Sequence, residues 1–444
     1  MKLDYSHKTI LNIAIPIILA SLIEHAIGLI DTSLMSSLSK EELGGAGLGV
    51  HSYFFLFMMC FGLTSGIQII LARKFGEIDY KGIGRYFYNS SFIILIYCIF
   101  AFLIAFFFSR SILSWVIEDQ LVLDNIIIYL QARSFGIFFT AMSALYNAFY
   151  IATNRTYIIT ITSIFVLGTN WFLDIALIHG NFGFPAMHVE GAAIASAIAS
   201  GVGFLILIIN NFILKDHKKY NLFKLRKIDK KIIKETIAIA SPLMAQFFLS
   251  FLGWTFFFFA IEKMGSIALS ASTLLRSLYL IILLPIIALG STTNTLASNL
   301  IAQGKSNELS SLLKNALSIS VPIGFIFCLI GVLFPEEILS KVTNESYLIE
   351  ASKTSLQVIA TSIVFFSISN IFFNLLIGTG DTKKTLLIEV TTLIIYIIPV
   401  YLFAIIYEFS LPVVWTTEHI YFIIMGGLAF YTFSKKKFVI REFK

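Results

Sequence analysis

Residues 236–261 read TIAIASPLMAQFFLSFLGWTFFFFAI, an unbroken run from Thr236 to Ile261 without one charged side chain. At about 1.5 Å of rise per residue, a helix of that length exceeds the roughly 30 Å hydrocarbon core of a bilayer. The run therefore reads as a membrane span. Composition extends the reading to the whole chain: of 444 residues, 57% are hydrophobic and 13% charged, with 44 Phe. A soluble domain carries about 25% charged residues, so half that figure requires a lipid solvent. Mean hydropathy is +0.87. Disorder, collagen and a disulfide scaffold are excluded as well. Cys60, Cys98 and Cys328 fall inside apolar runs and read as buried, reduced thiols. The net charge of +6 does not call for a nucleic-acid partner, because excess Lys and Arg in a membrane chain collects in cytoplasmic loops.

Scanning outward for further apolar runs of about 20 residues predicts twelve spans. They fall at roughly 10–35, 47–72, 88–109, 125–151, 157–179, 190–214, 234–261, 267–301, 313–334, 349–378, 385–407 and 412–433. The first is too long for a cleaved signal peptide, contains Glu24, His25 and Asp31, and lacks a small-residue cleavage site, so it is expected to remain in the mature protein. Loop charge tests the count. One set of loops holds Lys2, Lys8, Arg73, Lys74, Lys81, Arg85, Arg155, the eight basic residues from Lys215 to Lys231, Lys305, Lys314, Lys383, Lys384 and the five from Lys435 onward. The other set holds Lys40, Arg110, Lys263, Lys341 and Lys353. That asymmetry predicts an even number of spans with both termini cytoplasmic.

The longest polar stretch between spans, 215–231, separates six spans from six. At an offset of 226 residues, Ile13-Ala-Ile-Pro16 falls on Ile239-Ala-Ser-Pro242 and Leu43 on Leu269; at 227, Asn147 falls on Asn374. With six spans each, both halves enter the membrane in the same sense, the parallel kind of repeat found in alternating-access transporters. The domain expectation is an amino-terminal lobe at 1–214, a basic cytoplasmic linker at 215–231 and a carboxyl-terminal lobe at 232–444.

Ionisable groups inside spans cost about 2.5–3.5 kcal/mol each to insert and mark functional candidates. Glu24 and Asp31 lie two helical turns apart on span one, about 10 Å along its axis. Asn170 and Asp174, four apart on span five, share a face. Three carboxylates and an amide in one low-dielectric cavity can bind a hard cation through oxygen or hold a shared proton. The bland alternatives are contact with headgroups for Asp31 and Asp174 and a structural hydrogen bond for Glu24. Tyr129, Arg133 and Arg276 are candidate cavity residues; the arginines either neutralise acids or snorkel to the interface. Prolines 16, 242, 285, 322 and 399 lie within spans and predict kinks or hinges. Enzyme motifs are poorly supported. Gly378-Thr-Gly-Asp381 spells the GxGD of intramembrane aspartyl proteases, but Asp381 falls in a loop and the partner Tyr-Asp motif is absent; no GxxxxGK[ST] or HExxH occurs.

These residues resemble the multidrug and toxic compound extrusion (MATE) transporters, within the larger group that includes lipid-linked oligosaccharide flippases. The resemblance rests on Ile13-Ala-Ile-Pro16 with Asp31-Thr, on Gln68 through Gly76, and on Asn170-Trp-Phe-Leu-Asp174 leading to Gly183-Phe-Pro185 and Gly191-Ala-Ala. It implies an all-α polytopic membrane protein of twelve transmembrane helices in two pseudo-symmetric six-helix bundles, exchanging H+ or Na+ for bulky, often cationic drug-like molecules. Asp31, Asn170 and Asp174 match the family's amino-terminal cation site, with Na+ as one candidate occupant. Gln68 and Asn147 join the expected substrate cavity. There are two departures. Ser250 stands where some members carry a carboxylate in span seven, which places the expected coupling in the first half, and Glu24 adds a negative charge. Glu262 is no substitute. The sequence thus predicts a cation-coupled multidrug antiporter of the inner (plasma) membrane, with no cofactor beyond the coupling ion, acting as a monomer. A lipid-linked sugar flippase and a non-transporting membrane scaffold are the alternatives; only Arg133 and Arg276 are available to a polyanionic headgroup.

Overall fold

The computed structural model describes residues 5–435, and its regular elements are all helical. Eleven helices are long and apolar enough to cross a membrane. They are α1 (His7–Met35), α2 (Lys40–Gly76), α3 (Tyr80–Leu113), α5 (Tyr157–His179), α6 (His188–Ile213), α7 (Lys230–Glu262), α8 (Ser266–Ala302), α9 (Ser306–Leu333), α10 (Ser346–Gly378), α11 (Thr382–Ile406) and α12 (Leu411–Lys435). The twelfth, α4, is a pair, Gln120–Ser134 and Ile137–Ala152, bent by 56°. Twelve spans were expected at these places, but the fourth was read as continuous. Lys2 and the basic residues beyond Lys435, used above to orient the chain, lie outside the described residues.

Local chemistry sets several helix ends. Ser39 accepts from the Glu42 amide at 3.2 Å while the Glu42 carboxylate accepts from the Ser39 amide at 3.0 Å, a reciprocal cap that starts α2. Asp119 accepts from the amides of Leu121 and Val122 to start α4. Gly180, at φ 72°, closes α5 in a left-handed conformation that only glycine adopts cheaply. Pro16, Pro242, Pro285, Pro322 and Pro399 all sit inside helices.

The 226-residue offset recurs in the bounds of the helices. Adding 226 to the bounds of α2, 40 and 76, gives 266 and 302, the bounds of α8; adding it to 120 and 152, the ends of α4, gives 346 and 378, the ends of α10. Asn147 therefore corresponds to Phe373, one residue before the Asn374 with which the sequence aligned it. The repeats differ here, since α4 breaks between Ser134 and Ile137 whereas α10 runs through the corresponding positions. At the break, a Cβ on Gly136 would meet the Ala197 Cα at 2.9 Å, so the missing side chain lets α6 approach.

Two compact units are present: one joins residues 1–15 to 245–444, the other runs from 16 to 244. Each is an expected lobe with the first turns of α1 and α7 exchanged, and both exchanges fall within two residues of the paired prolines, Pro16 and Pro242. In the 16–244 unit, the start of α7 is tied in by Tyr86, which donates to Glu235 at 2.5 Å, and by the Asp229 amide, which donates to Asn89 at 2.8 Å. In the other unit, His7 meets Ser318 at 2.7 Å and Asn315 donates to the Tyr5 carbonyl at 3.1 Å.

The basic linker begins with a short helix, Asp216–Lys219, whose Asp216 is fully buried and paired with Arg155. Burial pushes the Asp216 carboxyl above its ordinary range, and the Arg155 guanidinium pulls against that shift. Lys219 lies over the rings of Tyr80 and Tyr220, at 4.7 and 5.0 Å.

Candidate functional site

Within the 16–244 unit, α1 and α5 bring Asp31 and Asp174 close enough for each carboxyl to act on the other, with Ser196 of α6 nearby. Asp174 is fully buried, and neither of its oxygens has a hydrogen-bond donor; Asp31 Oδ1 lacks one too. Two ionised carboxylates are acceptors only, so two held this close in a buried place favour a shared proton or a bound cation between them.

Asn170, one turn before Asp174, donates weakly to Ser196 at 3.5 Å, and its buried Oδ1 has no donor. That leaves a neutral oxygen beside the acids, of the kind that completes a hard-cation site. Among the described residues no group of three or more His, Cys, Asp or Glu forms a metal site, so the available chemistry is two carboxylates and neutral oxygens.

Arg133 and Tyr129 come to the same place from α4. The Arg133 guanidinium lies 4.6 Å over the Tyr53 ring and donates to Ser200 at 3.3 Å. It forms no ion pair with the acids, and its charge reaches Asp31 from further off. Tyr129 is buried against α2, where a Cβ on Gly49 would fall 2.8 Å from its ring. Four residues of this constellation carry no sequence signal of their own: Tyr53, Thr140, Ser196 and Ser200. Tyr53 donates to Thr140 at 3.3 Å, and Thr140 meets Ser200 at 3.3 Å.

The remaining candidates contribute no recorded interaction to the acid pair. Glu24 is exposed on α1 and takes part in no hydrogen bond or ion pair among the described residues. His25 Nε2 is buried without a partner. Gln68 is buried on α2, and Asn147 is half-buried on α4 with its Oδ1 lacking a donor. Arg276 belongs to the other unit, where it lies 5.0 Å over the Phe258 ring.

That other unit holds two acids which the sequence reading passed over. Glu389 on α11 is 1% exposed and has Ser250 and Tyr421 hydroxyls at 2.6 Å, both on Oε1. Glu418 on α12 is 5% exposed and accepts from Tyr279 at 2.8 Å and Tyr396 at 2.9 Å, one on each oxygen. Each was a single charge inside an otherwise apolar run, the signal that singled out Glu24 and Asp174.

Comparison with known proteins places this arrangement. The MatE family profile matches residues 16–176 and again 242–402, two segments offset by the same 226 residues. A relative described as a probable multidrug resistance protein NorM, from Thermotoga maritima, is 23% identical over 397 residues, which cover 86% of this chain and 82% of the relative. Among solved structures, a MATE transporter from Vibrio cholerae superposes with a TM-score of 0.88 at 17% identity, covering 97% of this chain and 98% of that one. A MOP superfamily transporter from Pyrococcus furiosus, whose binding pocket is described as having reverse polarity, superposes with a TM-score of 0.87 at 17% identity over 96% of both chains.

Proposed function

Because this chain belongs to the MatE family of multi-pass membrane transporters, which are not enzymes, we propose that it is a cation-coupled multidrug efflux antiporter working by alternating access. The observation that carries the proposal is the meeting of Asp31 and Asp174 in a buried site with three donorless oxygens between them. Asp31 and Asp174 hold the coupling ion, H+ or Na+, Asn170 offers a neutral ligand, and the unpaired Glu24 sets the charge facing the substrate. The substrates are drug-like organic molecules, in keeping with the name carried by the Thermotoga maritima relative. The protein acts as a monomer in the inner membrane with both termini cytoplasmic.

The packing of α1 supports a moving part. Thr160 on α5 donates to the Pro16 carbonyl at 2.7 Å, and near the far end of the helix Asp31 comes close to Asp174 on the same α5. Between Ala20 and Met35 no residue of α1 is fully buried, so this stretch is lightly packed and the ion-dependent contact can decide its position. An ion that binds only when the two acids meet has different affinities for the two arrangements of α1, the condition for driving a population shift. Pro16, where α1 passes from one unit to the other, is the natural bending point.

The test is efflux of a fluorescent organic cation from proteoliposomes under an imposed Na+ gradient or pH gradient, for the wild type and Asp31→Asn. Gradient-driven efflux by the wild type and none by the variant is expected, and the effective gradient names the ion. A wild type indifferent to both gradients would overturn the proposal and make lipid-linked sugars the next substrates to try.

A further inference from the structure

Glu389 sits in an arrangement of three oxygen contacts that share two hydroxyl hydrogens, those of Ser250 and Tyr421. The Ser250 hydroxyl has a single hydrogen but two oxygen partners, the Gln246 carbonyl at 2.9 Å and Glu389 Oε1 at 2.6 Å. If Ser250 donates to Gln246, as serines inside helices commonly do, its contact with Glu389 requires a hydrogen from the carboxyl. Tyr421 then donates to the same Oε1 and every contact is made. If Glu389 is ionised, Ser250 turns its hydrogen away from Gln246 to the carboxylate, and the 2.6 Å separations are those of charge-assisted hydrogen bonds. The same geometry accommodates both forms, and passing between them costs the rotation of one hydroxyl.

We propose that Glu389, with Ser250 and Tyr421, is a reversible proton-binding site in the second half of the chain, separate from the Asp31–Asp174 pair. Its surroundings suit that role on every side. The groups around it are Ser250 and Gln246 on α7, Tyr396 on α11, and Glu418 and Tyr421 on α12, with Tyr279 on α8 held by Glu418. Among the described residues no Lys, Arg or His forms an ion pair with Glu389 or Glu418; the nearby His419 is turned to Thr361 on α10 at 2.9 Å, and Arg276 lies over Phe258. A buried carboxyl without a basic partner holds its charge only at a large cost, which a proton removes. Gln246 Oε1, one turn from Ser250 on α7, is a further buried acceptor without a donor.

The repeat gives the site a counterpart. Subtracting 226 from Ser250 gives Glu24, and subtracting it from Glu389 gives Ser163, so the acid and the serine have exchanged helices between the halves. By the same spacing Tyr279 answers to Tyr53, and Tyr396 to Asn170. The first half carries its acid exposed and unpaired on α1; the second carries it buried on α11, with the α7 serine as its partner.

The decisive measurement is infrared difference spectroscopy of the purified full chain in lipid, following the carboxylic-acid C=O stretch as pH is varied. The wild type should show a titrating band that Glu389→Gln removes and Asp31→Asn retains. Glutamine preserves the shape and both hydrogen-bonding roles of the protonated acid, so the variant should fold. Ser250→Ala, which deletes the partner oxygen, should shift the band without abolishing it. Superimposable wild-type and Glu389→Gln spectra would overturn the inference. The readout needs neither substrate nor gradient, so a missing Glu389 band with intact gradient-driven efflux refutes this site alone, and a Glu389 band without such efflux refutes only the antiport proposal.

Discussion

Replacing Arg155 with alanine strands a buried charge, and the consequence follows from the geometry. Asp216 is fully buried, Arg155 is its ion-pair partner, and Asp216 Oδ2 has no donor. Removing one partner of a buried pair costs roughly 3–5 kcal/mol, because the remaining charge is left uncompensated. Arg155 is one-quarter exposed and Lys219 adds favourable charge from the same short helix, so the expected loss is near the lower end, about 3 kcal/mol. The sign of the pH dependence is fixed by the direction of the Asp216 shift. Burial raises the carboxyl in the folded state, so folding takes up a proton; stability from this group is present at acid pH and is lost as pH rises from the ordinary carboxylate range through the folded-state value. Without Arg155 that loss is larger. The assay is apparent thermal unfolding in detergent at one scan rate, since unfolding of a protein of this kind is commonly irreversible. Arg155→Ala should lower the midpoint more at alkaline than at acid pH, and adding Asp216→Asn should recover most of the loss. Equal midpoints for the single and double variants at every pH would refute the stranded-charge reasoning and assign the loss to packing of the arginine stem.

Three further outcomes follow from the site. Gly49→Val pushes Tyr129 off α2 and should cost about 1–3 kcal/mol by overpacking, read as a lower thermal midpoint together with slower efflux. Glu24→Gln should leave stability within about 0.5 kcal/mol, because the side chain has no partner, while weakening transport of cationic dyes more than neutral ones; equal effects on both would remove its charge-setting role. Tyr53→Phe keeps the ring beneath Arg133 and should transport nearly as well as wild type, whereas Tyr53→Leu loses a cation–π contact of about 1 kcal/mol and should release the guanidinium, a difference that dye-binding affinity in the two variants would reveal.

The fold was legible in the sequence because hydropathy and loop charge report a property summed over some twenty residues, and single side chains hardly disturb it. The same averaging concealed the break in α4. Phe135 and Gly136 are no more polar than their neighbours, and the bend depends on the backbone of α6 reaching Gly136, a tertiary contact. For the site, the four-residue spacing of Asn170 and Asp174 and the stripe containing Asp31 were readable from helix geometry, and the structure brings those three together. Ser196, Ser200, Thr140 and Tyr53 were not readable, because serine, threonine and tyrosine are ordinary in membrane helices and only their convergence from α2, α4 and α6 gives them a role. Glu389 and Glu418 were visible as isolated acids inside spans eleven and twelve. Their significance lies in hydroxyls donated from other helices, which no local pattern encodes.

The central claim is that Asp31 and Asp174 form one coupling site rather than two independent acids. The most direct test is gradient-driven efflux by Asp31→Asn, Asp174→Asn and the double variant in proteoliposomes, with dye affinity measured in parallel. One shared site predicts that each single variant loses gradient dependence as completely as the double variant while still binding the dye. Losses that add from one variant to the next, or a single variant that keeps its response to the gradient, would contradict it.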